Sequence, residues 1–265
     1  MSSPASTLRM AETAQPETVA LFVSDVHLQS ALPRTTAGFL AFLRHQARRT
    51  QRLYLLGDMF EYWAGDDDRA DPYYRTITTA LREVGAAGIQ VYWLAGNRDF
   101  LVGPDFAADA GLQLLQEPHV AILAGRRLVL LHGDAQCSDD TGYMAFRRQV
   151  RQPEWQAAFL ARPLGERKQI IEGMRSGSQA AQRDKSYEIM DVNRAEIDAV
   201  FAATDAELMI HGHTHRPGVH AHEAGVRYVL QDWDLDAEPA RGGWLALHHD
   251  GSLHAVDAAT PYSNC

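Results

Sequence analysis

From Val19 onward the chain alternates short apolar runs of strand length with amphipathic stretches of helix length, a pattern that restricts it to a sheet covered by helices. Strands are expected over Val19–Ser24, Leu53–Leu56, Ile89–Leu94, Val120–Leu123, Leu128–Leu131, Leu208–Ile210, Arg227–Leu230 and Trp244–Leu247. Helices are expected over Thr36–Arg49 and Pro72–Val84, each long enough to cross between parallel strands. Turn chemistry at Ala124-Gly125-Arg126-Arg127 and at His248-His249-Asp250-Gly251 adds hairpins, so parallel and antiparallel pairing should be mixed.

The ends of these strands carry the chemistry. Asp25 and His27, Asp58, Asn97, His132, then His213 and His215 each follow an apolar run, with steps of 33, 39 and 35 residues from Asp25 to His132. Loops beyond the carboxyl ends of strands converge on a rigid support, and α/β proteins build their sites there. The next step, from His132 to His213, is 81 residues and contains no β-rich run. The expected organisation is therefore a flexible tail over 1–18, a core over 19–138 and 204–265, and an inserted helical cap over 139–203. Residues 141–186 hold nine Arg/Lys against four acids, either a solvated helix face or a surface for an anionic ligand or membrane.

Whole-chain arithmetic excludes several functions. With 25 basic and 34 acidic residues the formal charge is −9, which argues against a general nucleic-acid binder. The two cysteines, Cys137 and Cys265, imply no disulfide framework. No stretch has the roughly 18–20 consecutive apolar residues of a membrane span, and the first 18 residues lack the apolar segment of a secretory signal, so a cytoplasmic location is expected.

Mixed Asp, His and Asn ligands suit a borderline transition metal. Seven such side chains are too many for one ion with an open position, whereas two ions sharing a carboxylate account for the number, with Asp58 the expected bridge. Together Ser24-Asp25-Val26-His27, Gly57-Asp58, Gly96-Asn97-Arg98-Asp99, His132-Gly133-Asp134 and Gly212-His213-Thr214-His215 resemble the calcineurin-like metallophosphoesterase superfamily. That resemblance implies an α/β fold, a β-sandwich flanked by helices. It also implies one metal held by Asp25, His27, Asp58 and His215 and a second held by Asp58, Asn97, His132 and His213, leaving His211 structural.

Many members carry His after the motif Asn, where it can protonate an alkoxide. This chain has Arg98, which keeps its proton but can bind phosphate oxygens in a bidentate fork, so a good leaving group such as a phosphate is favoured. More narrowly, the run from Gly57 to Asp67, Gly96-Asn97-Arg98-Asp99-Phe100, Asp139-Asp140 and Ile189-Met190-Asp191-Val192-Asn193 resemble the bacterial UDP-2,3-diacylglucosamine diphosphatase family of lipid A biosynthesis. What this implies is hydrolysis with two Mn2+ ions, water attacking the α-phosphorus to give UMP and 2,3-diacylglucosamine 1-phosphate. The catalytic group would be Asp58, Asn97, Arg98 and His213, and substrate contacts would come from Asn97, Arg98, Asp140, Ser178, Gln182, Lys185 and His213, with Gln182 where the family commonly has Asn. The expected partners are the lipid-linked nucleotide sugar and the cytoplasmic face of the inner membrane, the protein being peripheral and monomeric.

Asp140 and Ser178 also have plain roles available, as a helix cap and a helix surface residue. Cys137 is expected to be a buried small hydrophobe, and Asp66-Asp67-Asp68 a solvated loop; Tyr62 and Trp63 could equally border a pocket or pack in the core. Two other functions compete: a soluble phosphoesterase acting on a cyclic nucleotide, phosphoprotein or nucleic acid, and a non-catalytic scaffold. A scaffold would be expected to lose ligands, yet all seven positions are filled.

Overall fold

The computed structural model describes residues 17–183 and 191–258, with side chains left undescribed over 176–183. Strands β1 (Thr18–Val23), β2 (Arg52–Leu56), β3 (Gln90–Leu94), β4 (Gln113–Leu115), β10 (Gly243–His248) and β11 (Leu253–Asp257) form a six-stranded sheet in the order β11-β10-β1-β2-β3-β4. A second sheet has the order β5-β6-β7-β9-β8, from β5 (His119–Leu123), β6 (Arg126–Leu130), β7 (Leu208–His211), β8 (Gly218–Ala221) and β9 (Val226–Val229). Neighbours β1, β2, β3 and β4 run parallel, as do β6, β7 and β9, while β10, β11, β5 and β8 add antiparallel edges.

The two-residue period of the strands assigns each side chain to a layer. Leu21, Val23, Leu53 and Leu55 face a core shared with Phe39 and Phe42 of α1 (Pro33–His45), Ile77 and Leu81 of α2 (Pro72–Ala86) and Phe106 of α3 (Pro104–Ala110). Phe22, Tyr54, Leu56 and Leu94 point the other way and meet Leu128, Leu130, Leu208 and Ile210 of the second sheet. The remaining face of that sheet, with Val129, Leu131 and Met209, is covered by Ile197 and Phe201 of α7 (Arg194–Thr204). A two-sheet sandwich flanked by helices results, as expected.

The other helices after His132 are α4 (Thr141–Val150), α5 (Pro153–Leu160) and α6 (Leu164–Arg183). Within the stretch 139–203, α7 thus lies in the layer that covers the second sheet. Four elements were not foreseen: β4, β8, β11 and α3. Three of them are edge strands with few buried positions, and α3 is a short helix of about two turns, so none carries the apolar run that marks a central element.

Candidate dinuclear metal centre

The seven expected residues converge at the carboxyl ends of the parallel strands: Asp25 and His27 after β1, Asp58 after β2, Asn97 after β3, His132 after β6, His213 and His215 after β7. Five of them, Asp25, His27, Asp58, His213 and His215, have left-handed backbone with φ between 50° and 66°. Such conformations cost of order 1 kcal/mol or more per non-glycine residue and persist only where neighbours over-determine them. Here the loops fasten one another: Asp25 N–H donates to Gly57 O (3.0 Å), His27 N–H to Asp58 O (3.0 Å) and Trp233 N–H to Asp25 O (2.9 Å). The buried Asp99 carboxylate accepts from Met59 N–H (2.8 Å) and Gly96 N–H (2.7 Å), locking the loop of Asp58 to that of Asn97. Only glycine fits at two crossings, because a Cβ on Gly96 would stand 2.1 Å from Asp58 Oδ1 and one on Gly212 2.0 Å from Asp25 Oδ2.

The side chains that result turn ring nitrogens and carboxylate oxygens toward one another. His27 and His215 each turn Nδ1 toward a carboxylate, Glu61 Oε2 at 3.1 Å and Asp232 Oδ2 at 3.4 Å, so their Nε2 atoms confront each other across 3.3 Å. Asp25 Oδ1, 3.6 Å from His215 Nε2, is buried there without a hydrogen-bond partner. His132 directs Nδ1 to the Leu56 carbonyl (2.9 Å), leaving Nε2 to face Asn97 Oδ1 at 3.0 Å and Asp58 Oδ1 at 3.6 Å. Once His132 and His215 give up the protons their surroundings favour, each cluster is an assembly of acceptors that a cation would satisfy, so the residues fit a metal pair. Among the described residues, two groups have ligand atoms mutually within 4.8 Å, Asp25–His27–His215 and Asp25–Asp58–His132. Asp25 belongs to both groups, and Asp58, the expected bridge, to the second. His213 stands beside His132, ring centroids 5.0 Å apart, and its backbone N–H donates to Asp25 Oδ2 at 2.9 Å.

Electrostatics report the same surplus of negative charge. Burial opposes protonation of His132, but the carboxylates of Asp58, Asp25, Asp134 and Glu117 outweigh it and push its pKa up to about 9. For His215 burial is likewise outweighed, by hydrogen bonds and charge from Asp232 and Asp25, and its pKa rises to about 10. Burial and the charge of His132 instead lower His213 to about 4. His211 is turned away from the centre, its Nδ1 facing Gly212 O at 2.9 Å and its Nε2 the Arg227 guanidinium at 3.1 Å; burial and that charge lower it to about 3, the structural role expected.

Arg98 lies at the centre, its N–H donating to Asp58 Oδ1 (2.8 Å) and its guanidinium to Glu61 Oε1 (2.9 Å). Asp140 accepts from Tyr143 N–H at 3.0 Å and caps α4, the plain role that sequence left open. The side chains of Ser178 and Gln182, on α6, and all of Lys185 lie outside the described residues. Trp63 is core, stacked on Phe60, and Tyr62 has the Arg175 guanidinium 5.8 Å from its ring. Burial pushes the Cys137 thiol up to about 12, in keeping with an inert small hydrophobe.

Two expectations about charge are corrected. Asp66-Asp67-Asp68 is not a solvated loop: Asp66 accepts from Gly103, Asp105 and Phe106 N–H at the start of α3, Asp67 pairs with Arg167, and Asp68 with Lys168 (2.7 Å). The basic surplus of 141–186 is largely spent inside the molecule as well. Arg147 binds Asp134 (2.8 Å), Arg151 the Gly96 carbonyl (2.9 Å) and Arg175 Glu61, besides Arg167 and Lys168 above, while Arg162 pairs with Glu166 at the surface. Glu61, Asp99, Asp134 and Asp232 were not singled out from sequence. Three of them sit inside the motifs, which could have flagged them, whereas Asp232, held by Arg241 at 2.7 Å, carries no local signal.

Strand-end ligands on a two-sheet sandwich of this kind accord with the family match: the chain belongs to the calcineurin-like phosphoesterase family, whose model matches residues 19–217. Within it several relatives that this chain resembles share one name. The chain is 46% identical over 222 residues to the UDP-2,3-diacylglucosamine hydrolase of Aromatoleum aromaticum, with 82% of this chain and 90% of the relative covered. It is 44% identical to that of Ralstonia nicotianae (88% and 90% covered) and 45% identical to that of Escherichia coli O81 (82% and 91%).

Proposed function

We propose that the enzyme hydrolyses the pyrophosphate bond of UDP-2,3-diacylglucosamine, water attacking the α-phosphorus to give UMP and 2,3-diacylglucosamine 1-phosphate in lipid A biosynthesis. One observation carries the catalytic part of this reading: ligand atoms of Asp25, His27 and His215 converge within 4.8 Å of one another, and Asp25 Oδ1 is buried there without a hydrogen-bond partner. Asp25, His27, Asp58 and His215 would hold one Mn2+ and Asp58, Asn97, His132 and His213 the other, Asp58 serving as the bridge. Two cations bound there supply Lewis acidity to the phosphoryl group and acidify water.

The chain's own residues do the rest. Glu61, Asp232 and the Leu56 carbonyl orient three imidazoles with Nε2 inward. Arg98, charged at every working pH, offers its guanidinium to phosphate oxygens and needs no proton to give, which suits a phosphate leaving group. His213, neutral above about pH 4, binds without first losing a proton. The helices α4, α5 and α6 form the cap that receives the acylated glucosamine, with Asp140, Ser178, Gln182 and Lys185 contributing contacts.

Among the described residues no helix is long and apolar enough to cross a membrane. Peripheral binding to the cytoplasmic face, as a monomer, completes the proposal. Basic residues left unpaired near an anionic leaflet would contribute about 1 kcal/mol each, and flotation with anionic liposomes at low salt tests whether enough remain. The central test is Mn-stimulated UMP release in ¹⁸O water, with label expected in UMP; label confined to the sugar phosphate overturns the point of attack. Comparable turnover of a simple aryl phosphate would favour a general phosphoesterase instead.

A further inference from the structure

Glu61 occupies a position that no metal or substrate role accounts for. Its carboxylate is nearly buried, and each oxygen serves a different partner: Oε2 faces His27 Nδ1 at 3.1 Å, and Oε1 takes Arg98 Nη1 at 2.9 Å together with Arg175 Nη2 from α6. The backbone around it is tied to the same two loops. Glu61 N–H donates to Leu28 O (3.2 Å), Leu28 and Phe60 form a β-bridge, and Trp63 N–H donates to Arg98 O (3.2 Å). Phe60 and Trp63 on either side are anchored in an aromatic cluster with Tyr74, Trp93 and Phe106. The carboxylate is therefore held in place from both flanks, and its partners could not be exchanged by a small rotation.

We propose that Glu61 is a positioning residue that links the helical segment to the metal centre. Oε2, 3.1 Å from His27 Nδ1 but off the line of a hydrogen bond in this structure, draws the imidazole proton to Nδ1 and leaves Nε2 open toward a cation. Oε1 holds the Arg98 and Arg175 guanidiniums beside the site until the phosphates of the substrate compete for them. A carboxylate that orients a ligating imidazole typically raises metal affinity 10–100-fold. An ordinary ion pair between α6 and the core would contribute to stability and leave the imidazole unaffected.

This inference rests on the metal-dependent reading above, and the experiment separates the two. Mn2+ binding is measured by titration calorimetry on wild type, Glu61→Gln, Arg175→Met and, as a control, His27→Ala. Wild type should take up two ions and His27→Ala one; if wild type binds none, the metal reading itself fails. Glu61→Gln should weaken one of the two ions about tenfold or more and recover turnover at high Mn2+, while Arg175→Met should keep Mn2+ affinity within about twofold and raise KM. Long-range ¹H–¹⁵N spectra of the metal-free protein at pH 8 should show His27 protonated on Nδ1 in wild type and shifted toward Nε2–H in Glu61→Gln. Two ions bound normally by Glu61→Gln, with the tautomer of His27 unchanged, would overturn the proposal. If Glu61→Gln does not fold, Glu61→Asp, one methylene shorter, should give the same weakening in smaller degree, and unchanged affinity there would overturn it equally.

Discussion

The strand-end loops and the helices of residues 141–183 are fastened by different kinds of bond. The loops are held by backbone hydrogen bonds, left-handed residues and glycines with no room for a Cβ, so every ligand has one place to be. The helices are docked mainly through long cationic side chains: Arg147 to Asp134, Arg151 to Gly96 O, Arg167 to Asp67, Lys168 to Asp68, Arg175 to Glu61. Ligand geometry tolerates errors of a few tenths of an ångström, whereas helices that covered an acylated substrate, as proposed, would have to yield. Backbone ties give the first property, and side-chain tethers permit the second.

The contrast breaks most sharply at the shared carboxylates. Asp25→Asn and Asp58→Asn should each lower kcat on the order of a thousandfold, since metal-centred charge stabilisation is worth several kcal/mol. Calorimetric Mn2+ titration separates their roles: the true bridge, once replaced, costs both ions, a terminal ligand only one. If neither variant loses an ion, the assignment of the centre is wrong.

Acidity should act on the loops and spare the tethers. His132 and His215, raised to about 9 and 10 without metal, must shed protons before binding a cation. Mn2+ affinity is therefore expected to climb between about pH 6.5 and 10, by up to tenfold per unit for each proton released. The stability of the metal-free protein should move the other way. With folded pKa values above the unfolded 6.5, the protonated imidazoles stabilise fully below that pH, and the contribution is lost as pH rises through 9 to 10. Thermal melts and titrations across that range check both signs; affinity that falls with pH would refute them.

Smaller effects sharpen the comparison further. Gly212→Ala forces a Cβ onto Asp25 Oδ2 and Ser24 Oγ and should cost about 1–3 kcal/mol in denaturant melts, with Mn2+ affinity falling alongside. Arg167→Met, by contrast, should speed amide exchange over residues 164–175 yet leave Mn2+ affinity within about twofold. An equal loss of metal binding from Arg167→Met would mean the helices and loops form one rigid unit. Smallest of all, Asp140→Ala should cost about 1 kcal/mol through the lost cap on α4, with fraying confined to its first turn.

Much of this architecture could be read from the chain because central strands and their ends are local features. Leu53–Leu56 and Leu208–Ile210 are buried on both faces and so appear as unbroken apolar runs, and Asp58 and His213 follow them directly. Gly218–Ala221 is mostly exposed at an edge, so nothing in its four residues announces a strand. Metal-capable side chains advertise themselves by type and spacing. Asp232, which aims His215, is an acid among many until the fold brings it 3.4 Å from that ring. The +5 tally of the helical stretch misled for a related reason: a count cannot tell a solvated arginine from one already joined to a buried carboxylate across the sequence.

The pairing of β1 with β10 sets the order in which the centre comes into being during synthesis. Leu21 lies opposite Ala246, and the Asp25 carbonyl is held by Trp233 N–H, more than two hundred residues downstream. At roughly 5–20 residues per second the ribosome delivers Trp233 about 10–40 s after Asp25. In that interval the earliest ligands exist without the strand, the indole-bearing turn or the histidines that complete them. The nascent chain therefore completes the site late, and β10 and β11 join the side of the sheet already laid down by β1–β4 only when the last strands arrive.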